Sequence, residues 1–392
     1  MKYNFDKVID RTHTSCVKYD LRQVVFEKED VIPMWVADMD FETPDFIRDA
    51  VIRRASHPIY GYTFRDADYY QPVIGWMQVH HDWTIHRDHI VFSPGVVPAL
   101  SFAVKAFTKP GDKIIIQSPV YPPIFRAVED HNRIVLNNLL IEEGNSYHVD
   151  FGLLEEQAKE AAMLILCNPH NPVGRCWNRT ELETIAQICL KHRVLVFSDE
   201  IHADLVMPGF RHQVFANLSP EAADITITAH APSKTFNLAG LATSSVIISN
   251  PGLRASFSQL IEKMHLGMGN LFGSVASTAA YLHGEPWRLQ LLDYLNGNIG
   301  FTEDFIRKNI PALNMFRPEA TYMIWLDFRN FNLDDKTLKH KLIREAGLGF
   351  NSGTDFGPGG EGFMRMNIAC PRSIVTEALE RLRKMLSEVN LT

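Results

Sequence analysis

The amino-acid sequence predicts an α/β fold with a large domain, built on a mostly parallel sheet flanked by helices, and a smaller α+β domain. Short apolar runs alternate with longer stretches of helical periodicity. Most of these runs are apolar at every position, which is typical of strands buried on both faces of a parallel sheet. The chain has 392 residues, and because single cores stop growing at roughly 250–300 residues, we expect more than one domain.

Six apolar runs predict the strands of the large sheet. They are HIVF (89–92), KIIIQ (113–117), MLILC (163–167), VLVFS (194–198), ITITA (225–229) and SVIIS (245–249). Between two of them, residues 180–192 predict a helix that begins with a capping box of Thr180 and Glu183. The apolar face of this helix carries Leu182, Ile185, Ala186 and Cys189.

The pattern changes near both ends of the chain. Residues 1–45 are rich in turn formers, and we predict an N-terminal segment that packs with the small domain. Residues 46–288 form the predicted large domain. Residues 289–392 form the predicted C-terminal small domain, with a strand at YMIWLDF (322–328) and a final helix from about residue 373.

Composition and charge exclude several classes of function. The formal net charge is −7, and without a basic stripe the protein is not expected to bind nucleic acid. No apolar run approaches the roughly 20 residues that span a bilayer, so we expect no membrane insertion. The five cysteines form no CxxC pair and the first residues lack the apolar core of a signal peptide. Both features predict a cytoplasmic protein with reduced thiols.

Four histidines, His80, His81, His86 and His89, are close enough in sequence to suggest a metal site. No cysteine or carboxylate spacing accompanies them. We therefore interpret this stretch as solvated surface and predict no bound metal.

Five polar motifs each follow an apolar run, and together they indicate a ligand site. They are Ser93-Pro94-Gly95, Ser118-Pro119-Val120-Tyr121, NPHNPVG (168–174), SDEIH (198–202) and Ala231-Pro232-Ser233-Lys234. Ligands of open α/β sheets bind outside the carboxyl ends of the strands, so these motifs are predicted to meet at one edge. The set includes a helix N-terminus, an aromatic ring, an amide, a carboxylate and a lysine.

These groups match the chemical requirements of pyridoxal 5′-phosphate (PLP). Its phosphate binds backbone N–H groups at a helix N-terminus, and its aldehyde bonds covalently to a lysine. The ring nitrogen needs an anionic partner that keeps it protonated. The phenolic oxygen needs a donor, and the ring needs a flat side chain to stack on.

The motifs resemble those of fold-type I PLP-dependent enzymes, the aspartate aminotransferase superfamily. The shared motifs are NPHNPVG (168–174), SDEIH (198–202) and APSKTFNLAG (231–240). Four more resemble the MalY/PatB group of cystathionine β-lyases, also called C–S lyases: VADMDF (36–41), YGYT (60–63), PEATYMIWLD (318–327) and RMNIACPR (365–372). The resemblance covers nearly the whole chain. It implies a PLP-binding large domain, a homodimer and an amino-acid substrate.

The resemblance implies a role for each residue that faces the cofactor. Lys234 bonds the cofactor and moves the substrate proton, and Asp199 pairs with the pyridinium nitrogen. Asn171 donates to the phenolic oxygen, and Tyr121 stacks on the ring. His202 lies where the wider superfamily often has a tyrosine, so direct contact and a supporting role both stay open.

The phosphate site is implied to combine backbone and side-chain donors. The N–H groups of Val96 and Val97 and the hydroxyl of Ser233 bind the phosphate. The wider superfamily often carries an arginine eight residues after the lysine, but here that position is Ala242. We therefore expect Tyr62 of the partner subunit to complete the site.

Substrate binding is assigned to residues from both ends of the chain. Arg365 is expected to hold the α-carboxylate, since a guanidinium matches a carboxylate with two hydrogen bonds. Trp35 and Asp38, in VADMDF, are expected to line the substrate entrance. For Tyr60, in YGYT, we expect packing in the core.

The favoured function is α,β-elimination on L-cystathionine or a related cysteine S-conjugate, which gives a thiol such as homocysteine, pyruvate and ammonia. An aminotransferase that acts on an amino acid and a 2-oxo acid would use the same residues and stays as the alternative. A third hypothesis is a non-catalytic regulator that keeps the fold as a binding module. Retention of Lys234, Asp199 and Arg365 argues against it.

Overall fold

The computed structural model describes residues 3–389. Its N-terminal part contains two short helices and one strand: α1 (Val17–Asp20), α2 (Arg22–Phe26) and β1 (Ile32–Pro33). Strand β1 runs parallel to a strand near the other end of the chain, with Ile32 opposite Leu348. This pairing joins the N-terminal segment to the C-terminal part of the chain.

The middle of the chain alternates strands and helices. The strands are β2 (Ile90–Ser93), β3 (Lys113–Ile116), β4 (Ile134–Asn137), β5 (Ile141–Glu143), β6 (Ser146–His148), β7 (Ala161–Cys167), β8 (Leu195–Asp199), β9 (Thr226–His230) and β10 (Ser244–Ile247). The helices are α3 (Asp45–Ala55), α4 (Ala67–His81), α5 (Val96–Phe107), α6 (Pro122–Glu129), α7 (Phe151–Ala158), α8 (Arg179–His192), α9 (Pro220–Asp224), α10 (Pro232–Thr235), α11 (Pro251–Lys263) and α12 (Leu271–His283). In the described part of the chain, no helix combines the length and the apolar character needed to cross a membrane.

Seven of these strands form one sheet, in the order β2-β10-β9-β8-β7-β3-β4. The ladders are parallel except those of β10, which is antiparallel to both β2 and β9. Apolar side chains cover both faces of the sheet, which is why its strands are apolar at consecutive positions. The six apolar runs all lie in this sheet, and the predicted α/β fold with a mostly parallel sheet is confirmed.

Helix α8 begins earlier than the sequence suggested. Its N-cap is Asn178, whose Oδ1 accepts from Glu181 N–H at 3.0 Å, while Glu181 Oε2 accepts from Asn178 N–H at 2.8 Å. The predicted capping box of Thr180 and Glu183 is therefore wrong, because Asn178 has the extended backbone that a cap requires and Glu183 instead pairs with Arg179. The apolar face of this helix is buried as predicted.

The C-terminal part surrounds a second sheet with helices. Its elements are α13 (Glu285–Asn309), β11 (Asn314–Phe316), β12 (Met323–Asp327), α14 (Asp335–Arg344), β13 (Leu348–Gly349), β14 (Asn351–Ser352), β15 (Phe363–Asn367) and α15 (Arg372–Ser387). Four of these strands pair antiparallel in the order β11-β12-β15-β14. Arg365 lies in the middle of β15, opposite Trp325 and Asn351. The domain boundaries at residues 45 and 288 stay predictions.

One of the four histidines is buried rather than solvated. His81 ends α4, is 8% exposed, and its Nε2 lies 2.9 Å from Asp204 Oδ1. The surface interpretation is wrong for this residue because the buried carboxylate of Asp204 gives its ring a hydrogen-bond partner. Within residues 3–389, side-chain atoms of His81, Asp204 and His230 lie within 4.8 Å of one another.

Trp325 connects the second sheet to the β5–β6 hairpin. Its ring stacks on Phe363, with centroids 5.0 Å apart and an interplanar angle of 7°. Its Nε1 donates to the hydroxyl of Tyr147, on β6, at 3.2 Å. Because the side chain is also fully buried, it couples two parts of the chain that are distant in sequence.

We expect Trp325→Ala to lower the free energy of unfolding by about 3–5 kcal/mol, because a cavity replaces a buried aromatic ring. Urea unfolding of the cofactor-free protein, followed by circular dichroism, measures the change. Leu289→Ala is the control, at a side chain of α13 that is 54% exposed. It should change stability by less than about 0.5 kcal/mol. A loss in Trp325→Ala no larger than that of the control would contradict the packing role.

Candidate active site

A cavity of about 210 Å³ lies at the carboxyl ends of the central strands. It is lined by Ala37, Pro94, Gly95, Val96, Val97, Pro98, Tyr121, Cys167, Asn171, Asp199, Ile201, His202, Ser233, Lys234, Ala239, Ala242 and Thr243. Each of the five polar motifs contributes at least one of these residues. The structure therefore brings together groups that are distant in sequence.

Lys234 is held in the cavity by a carbonyl group of the N-terminal segment. It lies on α10, just after β9, and its Nζ donates to the carbonyl oxygen of Ala37 at 2.5 Å. The hydroxyl of Tyr322 donates to the same oxygen at 3.0 Å. Burial and the nearby Arg365 guanidinium lower the pKa of Lys234 to about 8. Near neutral pH this amine is therefore uncharged, and so nucleophilic, more often than an ordinary lysine.

Asp199, the last residue of β8, places a carboxylate in the cavity. Its Oδ1 accepts from the N–H of Ile201 at 3.2 Å. Burial raises the pKa of Asp199 to about 6, although Ile201 and Lys234 oppose this effect. A second cation beside the carboxylate would keep it ionised, which is the behaviour required of a partner for a protonated ring nitrogen.

Asn171 and Arg365 form a hydrogen-bonded pair beside the cavity. Arg365 Nη1 donates to Asn171 Oδ1 at 3.1 Å, so Nδ2 is the end of the Asn171 amide that remains to donate to a ligand. Arg365 also donates to the carbonyl oxygen of Trp35 at 2.8 Å and to Asn351 Oδ1 at 2.7 Å. Burial lowers the pKa of Arg365 to about 10. Its buried Nε has no partner among the described residues, a feature that suits a site for an anionic group.

The N-terminus of α5 offers donors for an anion. Its N-cap is Gly95, whose φ of 141° favours glycine and which has no side chain to cap the helix. The N–H groups of Val96 and Val97 are therefore free of a side-chain cap where they line the cavity. Ser233 lines the same cavity, as does Ala242, which carries no charge.

Tyr121 and His202 supply aromatic groups. Tyr121 is the N-cap residue of α6, and burial raises the pKa of its phenol. Burial lowers the pKa of His202 well below its ordinary value, so its ring is neutral. The Nδ1 of His202 has no partner in the described structure, and its ring lies edge-on to Tyr322 with centroids 6.1 Å apart. His202 thus lines the cavity, and its Nδ1 is buried without a hydrogen-bond partner among the described residues.

Some cavity residues were not found by sequence reasoning. Ala37 contributes a backbone carbonyl, which no side-chain pattern reveals. Cys167 ends β7 beside Asp199, and burial raises the pKa of its thiol. Thr243 adds a hydroxyl next to Ala242. Position at a strand end was the available signal for Cys167, and membership of the VADMDF motif was the signal for Ala37, whereas Thr243 carried none.

The side chains of Trp35 and Asp38 are absent from the described lining of this cavity. Trp35 Nε1 donates to the carbonyl oxygen of Lys18 at 3.1 Å. Asp38 accepts from Arg11 at 2.6 Å, and neighbouring Asp40 accepts from the buried Lys18 at 2.7 Å. These contacts hold the N-terminal segment together, and a place for Trp35 and Asp38 at the substrate entrance stays a prediction.

The YGYT motif lies on the surface of the single chain. Tyr62 is 97% exposed and Phe64 is 83% exposed. Tyr60 is 60% exposed, and its hydroxyl donates to the carbonyl oxygen of Ala55 at 2.5 Å. The expectation of a core position for Tyr60 is wrong, because the segment around it forms no helix or strand that packs on the core.

The chain matches a known family along most of its length. The family described as aminotransferase class I and II matches residues 29–382. The chain belongs to this family. The protein from Bacillus subtilis named cystathionine beta-lyase PatB is 44% identical over 386 residues, which covers 98% of this chain and 100% of PatB. Protein MalY from Escherichia coli is 32% identical, with 95% of each chain covered.

Solved structures of PLP enzymes share the fold. Cystalysin from Treponema denticola, which contains PLP, matches with a TM-score of 0.96 and 38% identity over 100% of both chains. The PLP-bound C–S lyase from Staphylococcus hominis matches with a TM-score of 0.92 and 34% identity over 98% of each. This member of the family is a PLP-dependent enzyme, and its cavity fits the cofactor. The uncapped N-terminus of α5 suits the phosphate, and Asp199 and Lys234 suit the ring nitrogen and the aldehyde.

We expect the Lys234 amine of the cofactor-free enzyme to capture PLP faster as pH rises through about 8, because the amine loses its proton there. Borohydride reduction at timed intervals, followed by peptide mapping, measures the rate and identifies the lysine. Lys113→Ala removes a lysine that pairs with Glu160 and should leave the rate unchanged. A rate that rises only near the ordinary lysine pKa of 10.5, or an adduct on another lysine, would contradict the assignment.

Proposed function

We propose that this enzyme is a C–S β-lyase that acts on L-cystathionine or a related cysteine S-conjugate. The reaction consumes one water and releases a thiol, pyruvate and ammonia, and with cystathionine the thiol is homocysteine. The observation that carries the proposal is the 44% identity to PatB, named a cystathionine beta-lyase, over 98% of this chain. The cavity supports it, because a lysine, a carboxylate and an amide line it together.

In this proposal, Lys234 and Arg365 act on the substrate. Arg365 binds the α-carboxylate with its guanidinium, whose buried Nε has no partner among the described residues. Lys234 would hold the cofactor until the substrate amine takes its place. The freed Lys234 amine would then remove the proton from Cα. The low pKa of Lys234 suits this step, since an amine must lose its own extra proton before it can accept one from the substrate.

Other residues hold the cofactor in the productive orientation. Asp199 keeps the ring nitrogen protonated, Asn171 donates to the phenolic oxygen, and Tyr121 stacks on the ring. His202 supports this end of the cavity with its neutral imidazole. When bound, PLP withdraws the electron pair that the Cα proton leaves behind. The residues around the cavity would orient the substrate for the loss of a thiolate from Cβ, because the reaction depends on substrate positioning.

The test is the stoichiometry of the reaction without a 2-oxo acid. Enzyme and L-cystathionine alone should complete many turnovers and release equal amounts of thiol, pyruvate and ammonia, because elimination regenerates the starting enzyme. Arg365→Lys should lower kcat/KM about 10–100-fold, mainly through KM, because a lysine cannot form the paired hydrogen bonds. A single turnover that stops until a 2-oxo acid is added would identify an aminotransferase instead.

We also propose a homodimer, in the cytoplasm, with composite active sites. The exposed aromatic side chains of Tyr62 and Phe64 support the dimer, since large exposed apolar groups mark interfaces. Ala242 leaves the phosphate without a cation, and Val96, Val97 and Ser233 would share the phosphate with Tyr62 of the partner subunit. The five free cysteines suit a reducing compartment.

Mixing Lys234→Ala protein with Tyr62→Phe protein should restore activity. Each hybrid dimer would contain one site with both defects and one intact site, because the lysine and the tyrosine of a site come from different chains. The steady-state rate after subunit exchange, compared with both parents, is the measurement. A double variant with both changes, mixed with Lys234→Ala protein, provides no intact site and should stay inactive. Demonstrated exchange without a gain over the parents would refute the composite site.

A further inference from the structure

Asp204 is a buried carboxylate that none of the roles above uses. It lies in the turn after β8 and is 3% exposed. Its Oδ1 accepts from Trp76 Nε1 and His81 Nε2, each at 2.9 Å. Its Oδ2 accepts from Thr235 Oγ1 at 2.9 Å, and His230 Nε2 lies 3.6 Å from that oxygen. One side chain therefore joins helix α4 to two residues near the cofactor lysine.

Two of these partners flank Lys234. His230 ends β9 and Thr235 ends α10, and Lys234 lies between them. The Asp204 carboxylate therefore accepts a hydrogen bond from the side chain that follows Lys234 and lies 3.6 Å from the His230 side chain, which precedes it. Helix α10 has only four residues, and because so short a helix has little stability of its own, its orientation depends on tertiary contacts such as these.

Asp204 is ionised in spite of its burial. Burial raises the pKa of this carboxyl group, but the nearby His230 and His81 outweigh that effect and hold the pKa well below its ordinary range. A carboxylate accepts stronger hydrogen bonds than a neutral group does. Arg288 donates to the main-chain oxygen of Asp204 at 3.0 Å, which ties the turn to α13. The turn that carries Asp204 is therefore itself held in place by the surrounding fold.

We propose that Asp204 is a positioning residue for Lys234: its carboxylate fixes the C-terminal end of α10 through Thr235, beside the His230 side chain, and so directs Nζ into the cavity. The inference rests on the proposed role of Lys234 as the lysine that bonds the cofactor. Asp204 takes no part in a covalent step and does not line the cavity. Its effect is on geometry, to which proton transfer is sensitive at displacements of about 1 Å.

A divalent cation could also bridge side-chain atoms as close as those of His81, Asp204 and His230. Trp76 and Thr235 each place a hydrogen-bond donor against one oxygen of the carboxylate. We therefore favour a carboxylate that is held by hydrogen bonds. A bound metal ion is one of the results that would overturn the proposal.

The test compares holoenzyme variants at both ends of one hydrogen bond. Asp204→Asn keeps the shape of the side chain and removes its charge. Thr235→Val removes the hydroxyl, and Thr235→Ser keeps it as the conservative variant. Asp327→Asn is the matched control, because Asp327 is also a buried carboxylate, but its hydrogen bonds come from Arg329.

The circular dichroism of the bound cofactor reports the orientation of the lysine-bound ring without any turnover. Asp204→Asn and Thr235→Val should reduce this signal per bound cofactor. They should also lower kcat about 10–100-fold with KM changed less than about threefold. Thr235→Ser should recover most of the signal. Asp327→Asn should lose thermal stability while keeping the signal and kcat.

Two results would overturn the proposal. The first is that Asp204→Asn and Thr235→Val lose thermal stability but keep the wild-type dichroism and kcat, as expected of a residue that only stabilises the fold. The second is stoichiometric metal in the wild-type enzyme, measured by mass spectrometry, whose chelation abolishes the dichroism. If Asp204→Asn does not fold, the comparison of Thr235→Val with Thr235→Ser tests the proposal instead. If the wild-type enzyme does not act on thioether amino acids, the proposed function fails, but the dichroism still decides the role of Asp204.

Discussion

The burial of three ionisable side chains around the cavity is the constraint on which the rest of the site depends. Burial lowers the pKa of Lys234 to about 8 and that of Arg365 to about 10, and it raises the pKa of Asp199 to about 6. Each shift favours the neutral form, because a buried charge is unfavourable unless partners compensate for it. The fold supplies some partners as main-chain carbonyls of Ala37 and Trp35, and a bound anionic cofactor with a cationic ring would supply the others.

These carbonyl partners explain why motifs from distant parts of the sequence occur together. The segment VADMDF lies against the cavity at Ala37, and its backbone groups need hydrogen bonds. Asn367, in RMNIACPR, donates to the carbonyl oxygens of Val36 and Asp38 at 2.7 Å each. Asn237, in the lysine motif, donates to Met39 O at 2.9 Å and accepts from Met39 N–H at 3.0 Å. Two asparagines thus hold the segment whose Ala37 carbonyl binds Lys234.

Sequence patterns predicted the fold and the position of the site through local rules. Strands apolar at every position predicted a sheet covered on both faces, and the strand ends predicted where Tyr121, Asn171 and Asp199 would meet. The same local reasoning misplaced the start of α8 and the side chain of His81. A cap depends on the backbone of one residue, and the burial of a histidine depends on a partner that lies far away in the chain.

The sequence by itself determined which residues could carry the chemistry. A lysine after one strand, a carboxylate at the end of the neighbouring strand and a glycine before a helix each indicate a ligand site from a short stretch of sequence. The tertiary structure alone decided how those groups are electrostatically tuned and held. The carbonyl that binds Lys234 comes from residue 37, the donor to Asn171 comes from residue 365, and Asp204 meets residues on both sides of Lys234. Hydrogen bonds and burial depend on distances between atoms, and no pattern in a single chain encodes a distance between residues so far apart in sequence.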